Sequence, residues 1–438
     1  MVVPMSGPRH ARPGRHLSIA SAMTPDTDDR PPSPHAGMTF RQFVGFIAAV
    51  MALNAVAIDS MLPALPDIGR DFGIANANET QWVVTAYLLG FGGAQIIYGT
   101  LSDRFGRKPV LIVGIAIYVV AAAAAAIAPN FETMLLARLV MGIGAAASRV
   151  LAITIVRDCY TGATMARVMS LAFIVFLIAP IIAPSLGQII MLFASWHAIF
   201  LGLSLYSAIT LVWAVLKLPE TMHPEDRIPI SLRGIGHGFY VTLTTRVSVG
   251  YNLAITLLMG ALFAFINSAQ QVFADALGHP GLFTTVFALI AAFMALSSLL
   301  NSRIVERLGT RTVSHGAVLG FAAVAVAHMM VAVMDLENIW TFGIFQAAMM
   351  FCFGLCVSNF NAMAMQPLGH VAGTASAVQG FVSTFGGAIL GFAIGQQFDG
   401  TTVPLTIGFA VFSLLSVGFV FFAEGGRLFS APMSEQPA

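Results

Sequence analysis

Charged residues are scarce in this chain: 9% of its 438 residues are Asp, Glu, Lys or Arg, whereas 57% are hydrophobic. Soluble domains carry about 25% charged residues, which cover the surface that faces water. A soluble chain of this length would divide into about two or three domains, each with a polar surface of its own. The shortage of charge therefore excludes a soluble enzyme or binding module and indicates that lipid surrounds most of the protein.

Cysteine is also rare, and the three residues present supply neither a disulfide framework nor a CxxC pair. Cys352 and Cys356 lie one helical turn apart in an apolar run, where we expect buried packing because a metal site needs more ligands nearby. The GxxxxGK[ST] loop and the HExxH pair are missing as well. These absences argue against a transporter driven directly by ATP, against a metal site and against a membrane enzyme. A channel is disfavoured because the chain has no recognisable selectivity-filter sequence.

Long apolar runs are abundant instead. A helix needs about 20 apolar residues to cross a bilayer, and runs of this length predict helices rather than barrel strands. We therefore predict an all-α integral membrane protein with twelve transmembrane helices. The predicted spans are Phe43–Leu65, Trp82–Leu101, Pro109–Ala128, Met134–Val156, Met165–Leu192, His197–Leu216, Val249–Phe273, Phe283–Asn301, Val313–Met334, Ile339–Ala362, Ala372–Gln396 and Val403–Ala423.

The polar segments divide the chain into regions. Residues 1–38 are rich in Pro, Arg, Ser and Asp without periodicity, which predicts a disordered cytosolic tail and no signal peptide. Met23 and Met38 leave a later translation start open. The longest internal polar loop predicts a cytoplasmic linker at 219–246 between six-helix bundles at 39–218 and 247–425, with a cytosolic tail at 426–438.

The distribution of Lys and Arg predicts the orientation in the membrane. Of the 21 basic residues, 18 lie in the two tails and in the loops after spans two, four, six and eight. Only Arg70 lies on the opposite side, while Arg138 and Arg149 fall within a span. Because basic loops stay in the cytoplasm, we expect both termini to be cytoplasmic and the number of spans to be even.

A repeat relates the two halves. Residues 101–108 read LSDRFGRK after span two, and residues 304–311 read IVERLGTR after span eight, with a constant offset of 203 residues. Parallel repeats of six helices are typical of transporters that move one half against the other around a central site.

The segment Gly99–Pro109 resembles the signature loop of the major facilitator superfamily. Ala57–Pro66 and Ala137–Ala146 resemble the first-helix and fourth-helix motifs of its drug:proton antiporters, although Met141 replaces the usual Gln. Ala179–Gly187 is similar to their fifth-helix antiporter motif, with alanines where glycines are commoner. The resemblance covers about Phe43 to Ala423 and implies the major facilitator fold.

Two further segments narrow the resemblance. Val156–Tyr160 and Pro367–Ala377 resemble the branch that exports bicyclomycin, chloramphenicol and sulfonamides. The resemblance implies proton-coupled efflux of small, partly apolar drugs or metabolites across the bacterial inner membrane, with the proton gradient as energy source and no cofactor. We expect no nucleic-acid partner, a lipid environment and function as a monomer. A dedicated exporter of one metabolite and a transporter-like ligand sensor remain alternatives.

Asp59 is the one acidic residue inside a predicted span. An ionised carboxylate there costs roughly 2.5–3.5 kcal/mol, so Asp59 should face a cavity or a partner. Arg138 in the fourth helix lies at a similar depth, so the two are candidates for a proton-coupling or substrate site. Arg149 follows by eleven residues, which returns to nearly the same helix face. The alternative is an interfacial Asp that begins a loop and arginines that bind carbonyl groups.

Two further groups are candidates for controlling conformation. The turn after span two contains Gly99, Asp103, Arg104, Gly106, Arg107 and Lys108, and Asp158 ends span four on the same side. We interpret these residues as a conformational latch in which Asp158 pairs with Arg104 or Arg107, the alternative being a basic topology anchor. Pro180, Pro184 and Gly187 share one face of span five, which predicts a bent and closely packed helix where the halves meet.

Overall fold

The computed structural model describes residues 38–222, 225, 227 and 232–429, so residues 1–37 of the predicted tail at 1–38 and residues 430–438 of the predicted tail at 426–438 lie outside it. Within this part of the chain, twelve helices are long and apolar enough to cross a membrane, and there is no strand. The predicted all-α fold is confirmed.

The first half contains six spans, which we number in chain order. Span 1 consists of helices Phe40–Asp59 and Leu65–Asp71, and it is followed by span 2 (Trp82–Phe105), span 3 (Arg107–Ala126), span 4 (Phe131–Cys159), span 5 (Gly162–Phe193) and span 6 (His197–Lys217).

A helix at Leu232–Thr244 lies between the halves, within the region predicted as the linker. The second half contains span 7 (Arg246–Gln271), span 8 (Phe283–Leu308), span 9 (Thr310–Val333), span 10 (Ile339–Met365), span 11 (helices Ala372–Phe381 and Gly387–Gly395) and span 12 (Val403–Ala423).

Two predicted spans are interrupted. The predicted span Phe43–Leu65 lies within the span Phe40–Asp71, but it is not one continuous helix: the helix ends at Asp59 and a 3-10 turn follows at Leu62–Ala64. Proline at position 63 lacks the amide hydrogen that a continuing helix requires, so the chain turns directly after Asp59. Span 11 contains a π-helical turn at Val382–Gly386.

Small residues let the helices approach closely within and between the halves. A Cβ atom on Gly142 of span 4 would lie 2.1 Å from the carbonyl oxygen of Tyr87 in span 2. Across the halves, a Cβ atom on Gly92 of span 2 would lie 2.7 Å from the backbone nitrogen of Phe385, in the π turn of span 11. Spans 5 and 8 form the second contact between the halves.

The bundle has two ends, for which we use fixed names. The basic end carries the turns at Gly106 and Gly309, which join spans 2 and 3 and spans 8 and 9. The far end carries the connections after spans 1, 7 and 11, including Asn78 and Gln396. Asp59 lies toward the far end of its half.

Candidate coupling and gating sites

Asp59 occupies the last position of the first helix of span 1, where its side chain is buried and only 4% exposed. Its carboxylate has no hydrogen bond or ion pair to any residue that the structure describes. An unpartnered acid within a span is costly when ionised, which is why such residues are commonly found on proton and ion pathways. Asp59 is therefore available to bind a proton or a cation.

Arg138 lies in the same half and is completely buried. Its Nε donates to the carbonyl oxygen of Val83 at 2.8 Å, and its Nη1 donates to the carbonyl oxygen of Ala57 at 3.3 Å. The guanidinium carbon lies 4.6 Å from the ring centroid of Tyr87, and Nη2 has no partner among the described residues. Arg138 thus contacts the helix turn that ends at Asp59, but in this conformation it binds carbonyl groups and not the Asp59 carboxylate.

A buried hydrogen-bond network connects Arg138 to the middle of the half. The Tyr87 hydroxyl donates to Oδ1 of Asn54 at 3.1 Å, and Nδ2 of Asn54 donates to Oγ of Ser148 at 3.2 Å. The network joins spans 1, 2 and 4. Moving the Arg138 guanidinium away from the Tyr87 ring would therefore disturb the hydrogen bonds of Tyr87 and Asn54, and Asn54 lies in the helix that ends at Asp59.

Arg149 does not share the surroundings of Arg138. Its side chain is exposed and has no hydrogen-bond or ionic partner in the described part of the chain. Periodicity places the two arginines near one face of span 4, but the structure gives them different environments.

The turn between spans 2 and 3 forms around Gly106, whose φ of +96° favours glycine. Arg107 donates from Nη1 to Asp103 at 2.6 Å and from Nε to Asp158 at 3.0 Å, which ties the turn to the end of span 4. Of the two predicted partners for Asp158, the structure selects Arg107. Arg104 instead lies over the ring of the next residue, 5.7 Å from its centroid.

Glu220, which follows span 6, binds this same turn. Its Oε1 accepts the backbone N–H of Arg107 at 2.9 Å, and its Oε2 accepts that of Lys108 at 3.3 Å. These are first-turn N–H groups of span 3, which have no partner within their own helix. A carboxylate at a helix N-terminus is also favoured by the helix dipole. Lys108 donates its ammonium group to the carbonyl oxygen of Val215, so span 6 and the segment that follows it hold the turn at two places.

The second half repeats this arrangement with different contacts. Gly309 has a φ of +79°, as expected from its alignment with Gly106. Arg311 donates from Nε to both carboxylate oxygens of Glu424, at 2.9 and 3.1 Å. Glu424 follows the last helix of its half, as Glu220 does, so in each half an acid after the sixth span binds the turn between the second and third.

Span 5 remains one helix across both of its prolines, Pro180 and Pro184. Gly187 lies against span 1: a Cβ atom there would come 1.8 Å from the backbone oxygen of Ser60, the residue after the candidate acid. This close contact lies within the first half, whereas the prediction placed it where the halves meet. Gly99 of the signature loop differs, since a Cβ atom there would meet no atom within 4 Å.

These features can be compared with known proteins. The family model described as Major Facilitator Superfamily matches residues 46–391, most of the chain. The chain belongs to the major facilitator superfamily. Its members transport small molecules, so this facilitator is a multi-pass transporter.

Curated relatives are similar to this facilitator over most of its length. The uncharacterized MFS-type transporter YdgK of Bacillus subtilis is 30% identical over 83% of this chain and 91% of the relative. The bicyclomycin resistance protein homolog of Haemophilus influenzae is 28% identical over 88% of this chain and 97% of its own length. The multidrug resistance protein MdtL of Klebsiella pneumoniae is 28% identical over 84% and 92%.

Solved structures share the fold. The human organic anion transporter MFSD10 superposes with a TM-score of 0.64 at 17% identity, covering 87% of this chain and 99% of its own. The xylose transporter XylE from E. coli, in a partially occluded inward open conformation, gives a TM-score of 0.68 at 13% identity, with coverage of 90% and 100%. At such identities the similarity carries the fold alone.

Sequence reasoning did not identify Glu220 as a site residue of this facilitator. The signal was present, because Glu220 and Glu424 are 204 residues apart, one more than the offset between the two turns. A repeat search confined to the turns does not find it. The roles assigned to the other candidate residues stay predictions.

Proposed function

We propose that this facilitator exports small, partly apolar molecules, drugs or metabolites, from the bacterial cytoplasm in exchange for protons. In this proposal it is a monomer in the inner membrane, surrounded by lipid, with its basic end and both termini in the cytoplasm. The proton gradient is its energy source and it uses no cofactor. The relatives named for bicyclomycin and multidrug resistance support the substrate class.

The observation that carries the coupling proposal is the unpartnered, buried carboxylate of Asp59 beside the helix turn that Arg138 binds. When ionised, Asp59 needs a cation, and the free Nη2 of Arg138 is a donor of the required charge. When protonated, it needs none, and Arg138 returns to the carbonyl groups. Each protonation state of Asp59 therefore favours a different arrangement of the turn that closes span 1, which links proton binding to conformation.

The charged turn is proposed as the latch for one conformation. Arg107 joins Asp103 and Asp158, and Glu220 adds the end of span 6, so spans 2, 3, 4 and 6 move together. Such a connection keeps the first half rigid at its basic end while the halves move against each other. It biases populations without contributing to the ligand pocket.

The test compares Asp59→Asn, Asp59→Glu and Asp67→Asn in purified protein and in everted vesicles. Asp67 is a matched control, since it lies eight residues further along and already pairs with Arg70 at 2.9 Å at the far end. Bicyclomycin, chloramphenicol and a sulfonamide serve as probes. We expect each exported probe to release protons from the detergent-solubilised parent and from Asp67→Asn, but not from Asp59→Asn. Asp59→Asn should lose uphill export, and Asp59→Glu should retain part of it.

Proton release and uphill export by Asp59→Asn at the parent's level would place the coupling site elsewhere. The vesicle assay also separates the alternatives. A dedicated exporter would move none of the three drugs but would accumulate one cellular metabolite under the same gradient. A ligand sensor would bind without accumulation, whether or not a proton gradient is present.

A further inference from the structure

A cluster of neutral amide side chains joins the two halves at the far end. It consists of Asn78 and Gln81, before and at the start of span 2, and of Gln271 and Gln396, at the ends of spans 7 and 11. Nε2 of Gln81 donates to Oε1 of Gln271 at 2.6 Å, and Nε2 of Gln271 donates to Oδ1 of Asn78 at 2.7 Å. We call these four residues the amide lock.

Backbone groups of span 11 extend the lock. Nε2 of Gln81 also donates to the carbonyl oxygen of Gly395 at 3.0 Å, and Nδ2 of Asn78 donates to that of Phe398 at 2.9 Å. Nε2 of Gln396 donates in return to the carbonyl oxygen of Asn78 at 2.7 Å. All these bonds cross between the halves. Gln81 is 0% and Gln271 4% exposed, so the interface is dry where they meet.

The other contact between the halves at the far end has fewer hydrogen bonds. There, the hydroxyl of Thr284 donates to Oε1 of Gln188 at 2.6 Å, which joins spans 8 and 5. A cavity of about 250 Å³ lies beside this bond, and its lining includes Pro63, Asp67 and Gln270. Thr284 and Gln81 are 203 residues apart, so they are equivalent positions of the two repeats. In the first repeat this position, Gln81, belongs to a network of several hydrogen bonds. In the second repeat the equivalent position, Thr284, forms a single hydrogen bond beside a cavity.

We propose that the amide lock is the far-end gate of this facilitator and that its bonds hold the conformation in which that end is closed. Transport requires the halves to separate there, and separation exposes the four amides to water. Moving a neutral amide between water and a buried interface costs less free energy than moving a charged group. The open and closed states of an amide gate therefore differ less in desolvation free energy than those of a gate made of ion pairs. A gate of this composition therefore closes firmly and still opens reversibly.

The lock itself contains no titratable group. Glu79 and Asp399 are the acidic residues adjoining it in sequence, and both are exposed. Hydrogen bonds from Thr401 lower the pKa of the Asp399 carboxyl below its usual range, so it stays ionised near neutral pH. The lock therefore favours the closed far end to the same extent at different pH values, and the proton-dependent step involves other residues.

The experiment measures access from the far end by thiol labelling. Thr85 lies one turn below Gln81, is 1% exposed, and accepts a hydrogen bond from Asn267 across the halves. A Thr85→Cys reporter is placed in a chain whose three native cysteines are replaced by Ser. A membrane-impermeant maleimide is then added to right-side-out vesicles and, separately, to inside-out vesicles.

The variants are Gln81→Leu, Gln81→Leu with Gln271→Leu, and the control Thr284→Val. Because several interhelical bonds are lost, we expect the lock variants to label at least about tenfold faster than the parent from right-side-out vesicles. The control should label within about twofold of the parent, since it loses one bond. Gln81→Asn keeps the amide but shortens its reach, and it provides the same comparison if a leucine variant is not stably produced.

Unchanged labelling in both leucine variants, or in Gln81→Asn when it replaces them, overturns the proposal. An equal increase in Thr284→Val also overturns it, because the amides would then have no special role. The result is independent of substrate and of proton coupling. If the proposed membrane orientation is wrong, the increase appears in inside-out vesicles instead, which leaves the gate intact and corrects only the orientation.

Discussion

The contact between Glu220 and the start of span 3 allows a quantitative local prediction. The carboxylate accepts the N–H groups of Arg107 and Lys108, and no other group in the described residues accepts them. A hydrogen bond to a charged group is worth roughly 1.5–3 kcal/mol when it is buried. Because Glu220 is only partly buried, we take a value just below this range, about 1.4 kcal/mol for each amide, which corresponds to about tenfold in an equilibrium constant.

Glu220→Ala should therefore increase hydrogen exchange at the amides of Arg107 and Lys108 by about tenfold in detergent-solubilised protein. Glu220→Gln retains an acceptor oxygen but loses the charge, so we expect a smaller increase of about threefold. Glu225→Ala is the matched control, since Glu225 lies five residues further along and is exposed. Mass-spectrometric exchange of peptides that cover the turn gives the measurement.

The expected effect is confined to the first turn of span 3. Exchange in the middle of that span should stay at the parent's level, because its amides bind within the helix. If Glu220→Ala leaves Arg107 and Lys108 as protected as in the parent, the carboxylate does not cap span 3 in solution. Faster exchange throughout the bundle would indicate global loosening and would equally refute a local cap.

Three further predictions concern the latch, the packing of span 5 and the topology. Asp103→Asn should insert normally and bind ligand in detergent while vesicle transport falls, and normal transport would disprove the latch. Gly187→Ala should lower the yield of folded protein, because the added Cβ atom would meet the backbone of span 1. Gly99→Ala is the control and should be tolerated, because its Cβ atom would meet no neighbouring atom. Fluorescence size-exclusion chromatography measures both yields. Reporter fusions after Gly400 should behave as external and those after Lys108 as cytoplasmic, and a reversed pattern at both would refute the proposed orientation.

The sequence alone determined the fold class and the repeat. Twelve apolar runs of spanning length allow little besides a helical bundle, because unpaired backbone groups are too costly in lipid. The aligned turns at Gly106 and Gly309 required a positive φ at both glycines, and both have it. Periodicity and composition carry this information because they depend on each residue's own chemistry and on its near neighbours.

The pairing of side chains was decided only by the tertiary structure. Asp59 and Arg138 lie at similar depth by counting, yet the depth of two residues does not fix the direction in which their side chains point, and Arg138 binds carbonyl groups here. The capping of the turn by Glu220 joins residues 113 positions apart. The amide lock joins Gln81 to Gln271, which lie in different halves and in no shared motif. Polar residues in spans find partners through helix packing, and a single sequence does not specify which helices meet.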